Sequence, residues 1–321
     1  MAHELHIDEN NKASFAYVGE RAWHGLGQQL TENAPLSVWL TEAGMDFEIC
    51  ETEVQGVVGG QVIKMPERKL LYRDDTLSPL AVVSSKYKVV QPREILYAQE
   101  ELIEQLGFQM ETAGVLFGGK KFWSMSRTNF REEVLAGDEV GQYLLLTTAC
   151  DGSLATTAKF TSVRTVCNNT LTMALNADTN KTTVKIPHSA QFDMQRVKAE
   201  LGLAGESWSK FIADMQSLAH MKMSKTQAIN FLITLVGDDT KSLEDQTPGA
   251  ANLMTHMFNL WNTDSMGNEL VGHTRWGMLN AVTEYYDHHT GHKTDDARMN
   301  NAWMGEGEKM KLHAADLLLS L

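Results

Sequence analysis

The 321-residue chain is poor in cysteine: Cys50, Cys150 and Cys167 are an odd number with no C-x-x-C spacing. That excludes a disulfide framework and a four-cysteine zinc cage, and reads the three as buried thiols. No run approaches the roughly 20 apolar residues that a membrane helix needs. The opening MAHELHIDENNKASF has neither the basic nor the apolar region of a secretory signal, so the expected place is the cytoplasm, with no membrane partner. Catalytic signatures are missing too: there is no G-x-S-x-G, no Walker loop, no kinase set and no G-x-G-x-x-G after a strand. Nucleotide hydrolysis is not expected, no cofactor is implied, and a non-enzyme is favoured over an enzyme. Repeats and low-complexity tracts are absent, while 43% apolar residues and 17 Met supply a substantial core and exclude disorder as the main state.

Positive charge is also scarce. The chain has 28 Lys and Arg against 41 Asp and Glu, a net charge of −13. The distribution is uneven: residues 1–59 hold 2 basic and 10 acidic side chains, 132–154 none and 5, and 200–321 hold 9 and 16. The middle is different, with 11 basic and 8 acidic residues over 60–131 and 6 and 2 over 155–199. Phosphate groups sense charge within a Debye length, about 8–10 Å in physiological salt, so a polyanion can bind the centre despite the total.

Hydrophobic periodicity predicts an α+β fold: an antiparallel sheet with a β-β-β-α core, then a helical carboxyl-terminal region, divided as domains 1–189 and 190–321. A short helix is expected over NAPLSVWLTEAG, with Pro35 in its first turn and Gly44 as its stop. Phe47–Val58 and Gln61–Met65 around Gly59-Gly60, and Leu70–Arg73 and Leu80–Ser84 around a turn-rich stretch, read as two hairpins. Pro92 opens a helix that ends at Gly107. Strands are expected at Gln109–Phe117, Lys121–Thr128, Tyr143–Ala149 and Leu154–Val166, followed by a helix capped by Asn168-Asn169 and running through Leu171 to Leu175. Residues 176–189 are polar and turn-rich, the expected boundary, and helical periodicity then runs from Gln191 to the end.

Two strands carry the candidate binding residues. In GGKKFWSMSRT, Lys120 precedes Lys121, Trp123 and Arg127, and alternation puts the last three on one face, a pattern of cations for phosphates and a flat ring for bases. The competing reading buries Trp123 and Met125 in the core. In LATTAKFTSVRTV, a bulge near Ser162 would bring Lys159 and Arg164 onto one face, beside Asn168, Asn169 and a helix N-terminus suited to anions. A solvated strand with an ordinary cap is the alternative. Glu284, His288 and His292 would stack at i, i+4 and i+8 on a helix, but without H-E-x-x-H and with a polar tract behind them they read as a solvated helix end, and no metal is expected.

Several blocks together resemble a family of phage- and plasmid-encoded proteins described as a domain of unknown function. They are RAWHGLG (Arg21–Gly27), AGMDFEI (Ala43–Ile49), LAVVSSKYKVVQPRE (Leu80–Glu94), Tyr143–Leu175, TRWGMLNAVTEYYDHHTGH (Thr274–His292) and NAWMGEGEKMKLHAADLL (Asn301–Leu318). Ala22 before Trp23 and Arg275 before Trp276 are variations within that pattern. The resemblance implies a mobile-element setting in a bacterial host, and by analogy of topology the phage single-strand annealing proteins, a class containing Erf, RecT and Redβ. In that reading Lys120, Lys121, Arg127, Lys159 and Arg164 hold the phosphates of single-stranded DNA. Trp123 supports bases, Asn168 and Asn169 present a helix end, and a ring or filament of identical subunits anneals strands without ATP. The alternative is an acidic module that binds and inhibits a host defence or repair protein. A third reading, a metal-dependent nuclease, has no acid pair spaced well enough to name.

Overall fold

The computed structural model describes residues 13–19, 27–164, 170–172, 183–193, 195, 197, 199, 204–263, 268–292 and 294–321. The chain divides into two compact units: Met1–Asn129, Tyr143–Phe160 and Thr183–Gly202 form the first, and Phe130–Gln142, Thr161–Thr182 and Leu203–Leu321 the second. The class is α+β, with mainly antiparallel sheets and a helical carboxyl-terminal region. Among the described residues no helix is long and apolar enough to cross a membrane.

Strands β1 (Phe15–Val18) and β2 (Gln28–Leu30) pair in parallel. Helix α1 (Leu36–Glu42) follows Pro35, whose ring fixes φ at −59° ahead of the first turn, and ends before Gly44 at φ 67°. Strands β3 (Ile49–Val58), β4 (Gln61–Arg73) and β5 (Pro79–Ser84) make a separate antiparallel sheet in the order β3-β4-β5. The two short strands expected at Gln61–Met65 and Leu70–Arg73 are therefore one. Pro66, which has no N–H to donate, falls where the register shifts between Glu53 and Gln55, and the strand passes through the irregularity. Helix α2 (Pro92–Leu106) begins with a capping box between Gln91 and Glu94 and stops at Gly107 in the left-handed region.

Strand β6 (Gln109–Leu116) leads through a 3-10 turn at Phe117–Gly119 to β7 (Lys121–Leu135), β8 (Asp138–Ala149) and β9 (Thr156–Arg164). With β10 (Thr170–Thr172) and β11 (Thr183–Ile186), which both pair with β9, the strand order is β10-β9-β8-β7-β6-β1-β2. In the first unit α2 lies on this sheet through Gln99, fully buried, whose amide donates to the carbonyls of Ser124 and Leu144 at 3.2 and 3.3 Å.

Three expectations change here. The helix expected through Leu171 is strand at Thr170–Thr172, which pairs with Val163, Ser162 and Thr161. Two β-branched threonines around a buried Leu171 favour the pleated backbone. That register is unbroken at Ser162, so the proposed bulge is absent there. Within the stretch expected to be a polar connection, Thr183–Ile186 is a strand on β9, with Val184 and Ile186 buried.

The second unit holds helices α3 (Ala204–His220), α4 (Lys225–Val236), α5 (Pro248–Asn262), α6 (Asn268–Val271), α7 (Arg275–Glu284), α8 (Asp295–Met304) and α9 (Glu306–Ser320). Ser224, Thr247, Thr274 and Thr294 cap α4, α5, α7 and α8 with side-chain oxygens. Asp138, at the start of β8 and fully buried, accepts from Arg164 Nε at 2.5 Å and from Trp276 Nε1 at 2.8 Å. Arg164 is 2% exposed. Removing one member of such a pair leaves a buried charge without its counter-charge, a loss of about 3–5 kcal/mol. Arg164→Met is expected to lower the stability of the second unit by that order in urea unfolding, and adding Asp138→Asn, which keeps an acceptor for Trp276, should recover part of it.

Candidate nucleic-acid interface

In the first unit, the segment after β5, the 3-10 turn before β7, the turn between β8 and β9 and the residues after β11 converge at one end. The organiser is the stacked pair Tyr87 and His188, with ring centroids 4.4 Å apart and planes 19° from parallel. The Tyr87 hydroxyl donates to the Ala149 carbonyl at 2.7 Å. His188 is fixed by its ring nitrogens, each 3.1 Å from a backbone carbonyl, Nδ1 from Lys88 and Nε2 from Leu154. The Lys88 amide donates in turn to the His188 carbonyl at 2.6 Å. A side chain remote in sequence thereby ties down the Lys86-Tyr87-Lys88 segment.

Lysines surround this pair. Lys86 and Lys88 are exposed, and Lys120 and Lys121 are half-buried at the start of β7. Burial depresses the Lys121 ammonium below the ordinary lysine range, and Asp151 opposes the shift. Burial, and then the charges of Cys150 and Asp151, raise the Tyr87 phenol. Beneath them Cys150 is 2% exposed, with its amide on the Lys120 carbonyl at 2.9 Å. The 3-10 turn is held by Arg73, whose guanidinium donates to the Gly118 carbonyl at 3.3 Å, pairs with Asp75 at 2.6 Å and lies 3.9 Å over the Phe47 ring. The Asp75 carboxyl sits below the usual carboxylate range because Arg73 donates to it. Such an end offers cations and a flat ring edge to a phosphodiester chain, with Asp151 the carboxylate whose charge opposes them.

The residues singled out from sequence are divided by the structure. Lys120 and Lys121 belong to this end. Arg127 is half-buried further along β7, hydrogen-bonded to Gln109 Oε1. Trp123 has no exposed surface: its ring packs on Phe15 at 5.9 Å and lies over Gly114, where any Cβ would come within 2.3 Å of it. A ring so enclosed has no face for a base. Lys159 is 4% and Arg164 2% exposed, and neither reaches a phosphate from those positions. Asn168 and Asn169, like the RAWHG segment of residues 21–25, lie outside the described residues. Lys86, Tyr87, Lys88 and His188 are not among the residues that the sequence singles out, although the K-Y-K alternation inside VVSSKYKVV carries a signal.

The helix end in the second unit, expected to be solvated, buries Glu284, Tyr286 and Asp287, and the i, i+4, i+8 stack of Glu284, His288 and His292 does not form. The helix widens to a π turn over Tyr285–His289, so Glu284 meets His289, five residues on, at 3.3 Å. A buried pair, Lys311 Nζ to Asp287 Oδ1 at 2.5 Å, reaches the same turn.

A family model described as Domain of unknown function (DUF932) matches residues 79–303, well over half of the chain. Comparison with curated proteins finds no match, and comparison with solved structures finds none.

Burial pushes the Cys150 thiol from 9.0 up to about 12, with Asp151 adding to the rise. Between those values the unfolded chain releases a proton that the native protein keeps, so stability falls as pH rises and is unaffected below the lower one. Urea midpoints measured at pH 8 and in the pH 10 range should therefore differ, and the difference should shrink in Cys150→Ala.

Proposed function

The chain belongs to the DUF932 family, whose description assigns no activity, and we propose that its first unit binds single-stranded DNA through Lys86, Lys88, Lys120 and Lys121 around the Tyr87–His188 pair. The observation that carries this reading is the concentration of four lysines on one end of a chain whose net charge is −13. Because phosphate binding follows local rather than total charge, a polyanion can gain at that end despite the total. The family resemblance supports a mobile-element setting, and annealing of complementary strands in phage or plasmid recombination is the corresponding activity. It needs no nucleotide, in keeping with the absence of a phosphate-binding loop in the sequence. Trp123, Lys159 and Arg164 have no part in this version, because their burial assigns them to packing and internal pairing.

A second reading is favoured by a cavity of about 320 Å³ in the same unit. Trp39, Ile103 and Phe108 form apolar walls, and Glu32, Glu100, Glu104 and Glu111 stand against Arg127 around it. That lining suits a basic side chain of a bound protein, the recognition expected of an acidic module that occupies a host enzyme.

Fluorescence anisotropy of a labelled single-stranded oligonucleotide, without ATP and at two salt concentrations, separates the two. Salt-sensitive binding is expected, and replacing the four lysines by Ala should make the slope of log K against log salt shallower by about 0.7 for each phosphate that is no longer neutralised. Affinity unchanged in that variant at both salts would sink the assignment. No binding to DNA, together with recovery of a host protein on the immobilised chain, would favour the acidic module.

A further inference from the structure

The β3–β4 hairpin reaches out as an arm whose end is apolar. Val57, Val58, Val62, Ile63 and Met65 are 73, 65, 60, 53 and 44% exposed. Val57 pairs with Val62 and Gly56 with Ile63, and since cross-strand partners share a face, apolar side chains occupy both faces of the tip. The turn is tight: Gly59 and Gly60 sit at φ 58° and 80°, the two-residue turn that matches the twist of a hairpin. A strand pair packing on its own core is apolar on one face, whereas this one is apolar on two.

The arm is also neutral and open at its edges. Glu51, Glu53 and Glu67 stand against Lys64, Arg68 and Lys69, with Glu53–Lys64 paired at 2.7 Å and Glu51–Lys69 at 2.6 Å. From Val54 to Ile63 there is no charged residue at all. Among the described residues β3 pairs with β4 alone, and β5 covers β4 only along Arg68–Tyr72, so the tip has an open backbone edge on each side. The stretch VQGVV has neither Lys nor Pro, the residues that ordinarily guard such an edge.

We propose that the tip, Val54–Ile63 with Met65 beside it, is a self-association surface whose occupant is the same arm of a second copy of this chain, in a contact symmetric about a two-fold axis. Charge selects the place: two chains of −13 repel, and the uncharged tip is where they approach at least cost. Form selects the partner, because an identical arm brings a strand edge and an apolar face together, and a symmetric contact satisfies both copies at once. Area sets the strength. Val57 and Val62 lie on one face and Val58 and Ile63 on the other, so of the roughly 100 Å² that each side chain offers a single contact covers about half, about 500 Å² over the two arms, below the usual range of a specific interface, and the dimer is weak and concentration-dependent. The inference stands independently of DNA binding.

Sedimentation equilibrium of the full chain over a wide concentration range tests it. The average mass should rise towards twice that of the chain, and Val57→Glu with Ile63→Glu, which puts a charge on each face of the tip so that whichever face meets the partner brings like charges together, should hold it at the monomer. Both side chains are exposed, so the urea midpoint of the variant should match the parent; if the double variant fails to fold, Val62→Ser gives the same reading with a smaller shift. A parent that stays monomeric at every concentration overturns the proposal, as does a folded double variant that dimerises as the parent does. Arm-dependent binding of the monomer to phosphatidylcholine vesicles would overturn it in favour of a lipid occupant.

Discussion

The second unit depends on one buried carboxylate. Asp138 has no exposed surface and accepts from Arg164 on one oxygen and Trp276 on the other. It thus ties the beginning of β8 to the end of β9 and to the first turn of α7. A carboxylate without water is stable only when charged and neutral donors together replace its hydration, and Arg164 with Trp276 does so. The same logic recurs on the turn after α7, where the buried Asp287 meets the buried Lys311. Polar groups in this unit act as internal fasteners, which is why cations that look available in the sequence are committed to the fold.

In the first unit, packing is decided by shape. Gly114 opposite Trp123 leaves room for the indole to lie over the backbone, and Phe15 closes the other side. Gln99 spans from α2 to two strand carbonyls, so its helix is fixed to the sheet by a polar side chain within an apolar layer. At the opposite extreme the Tyr87–His188 pair is built on backbone carbonyls from separated segments, so the end is held together without drawing Lys86 and Lys88 inward.

Much of the fold was legible from local chemistry. The helix starts at Pro35 and Pro92, the stops at Gly44 and Gly107, and the Gly59-Gly60 turn stand where the fixed φ of proline and the positive φ open to glycine put them. Departures fall where local preference is balanced. Thr-Leu-Thr at residues 170–172 is short enough to be either helix or strand, and the open edge of β9 makes it strand. Pro66 looks like a strand end, yet the bulge beside Val54 absorbs it. The π turn at Tyr285–His289 changes a helical spacing that would otherwise have aligned Glu284 with His288.

Residue order alone specifies the α+β class and the helical carboxyl-terminal region, because these follow from periodicity and from residues acting on their own backbone. It also locates the basic middle of an acidic chain. Which of those cations face solvent is settled by the assembled fold. Alternation along a strand distinguishes two faces, but both faces of β7 at Phe122 and Trp123 are buried, so alternation has no exposed side to report. The burial of Arg164 depends on Asp138, 26 residues earlier, and on Trp276, far along the chain, and the lysines around Tyr87 depend on His188, about 100 residues later. Exposure is a property of what covers a residue, and here the covering groups come from distant parts of the chain.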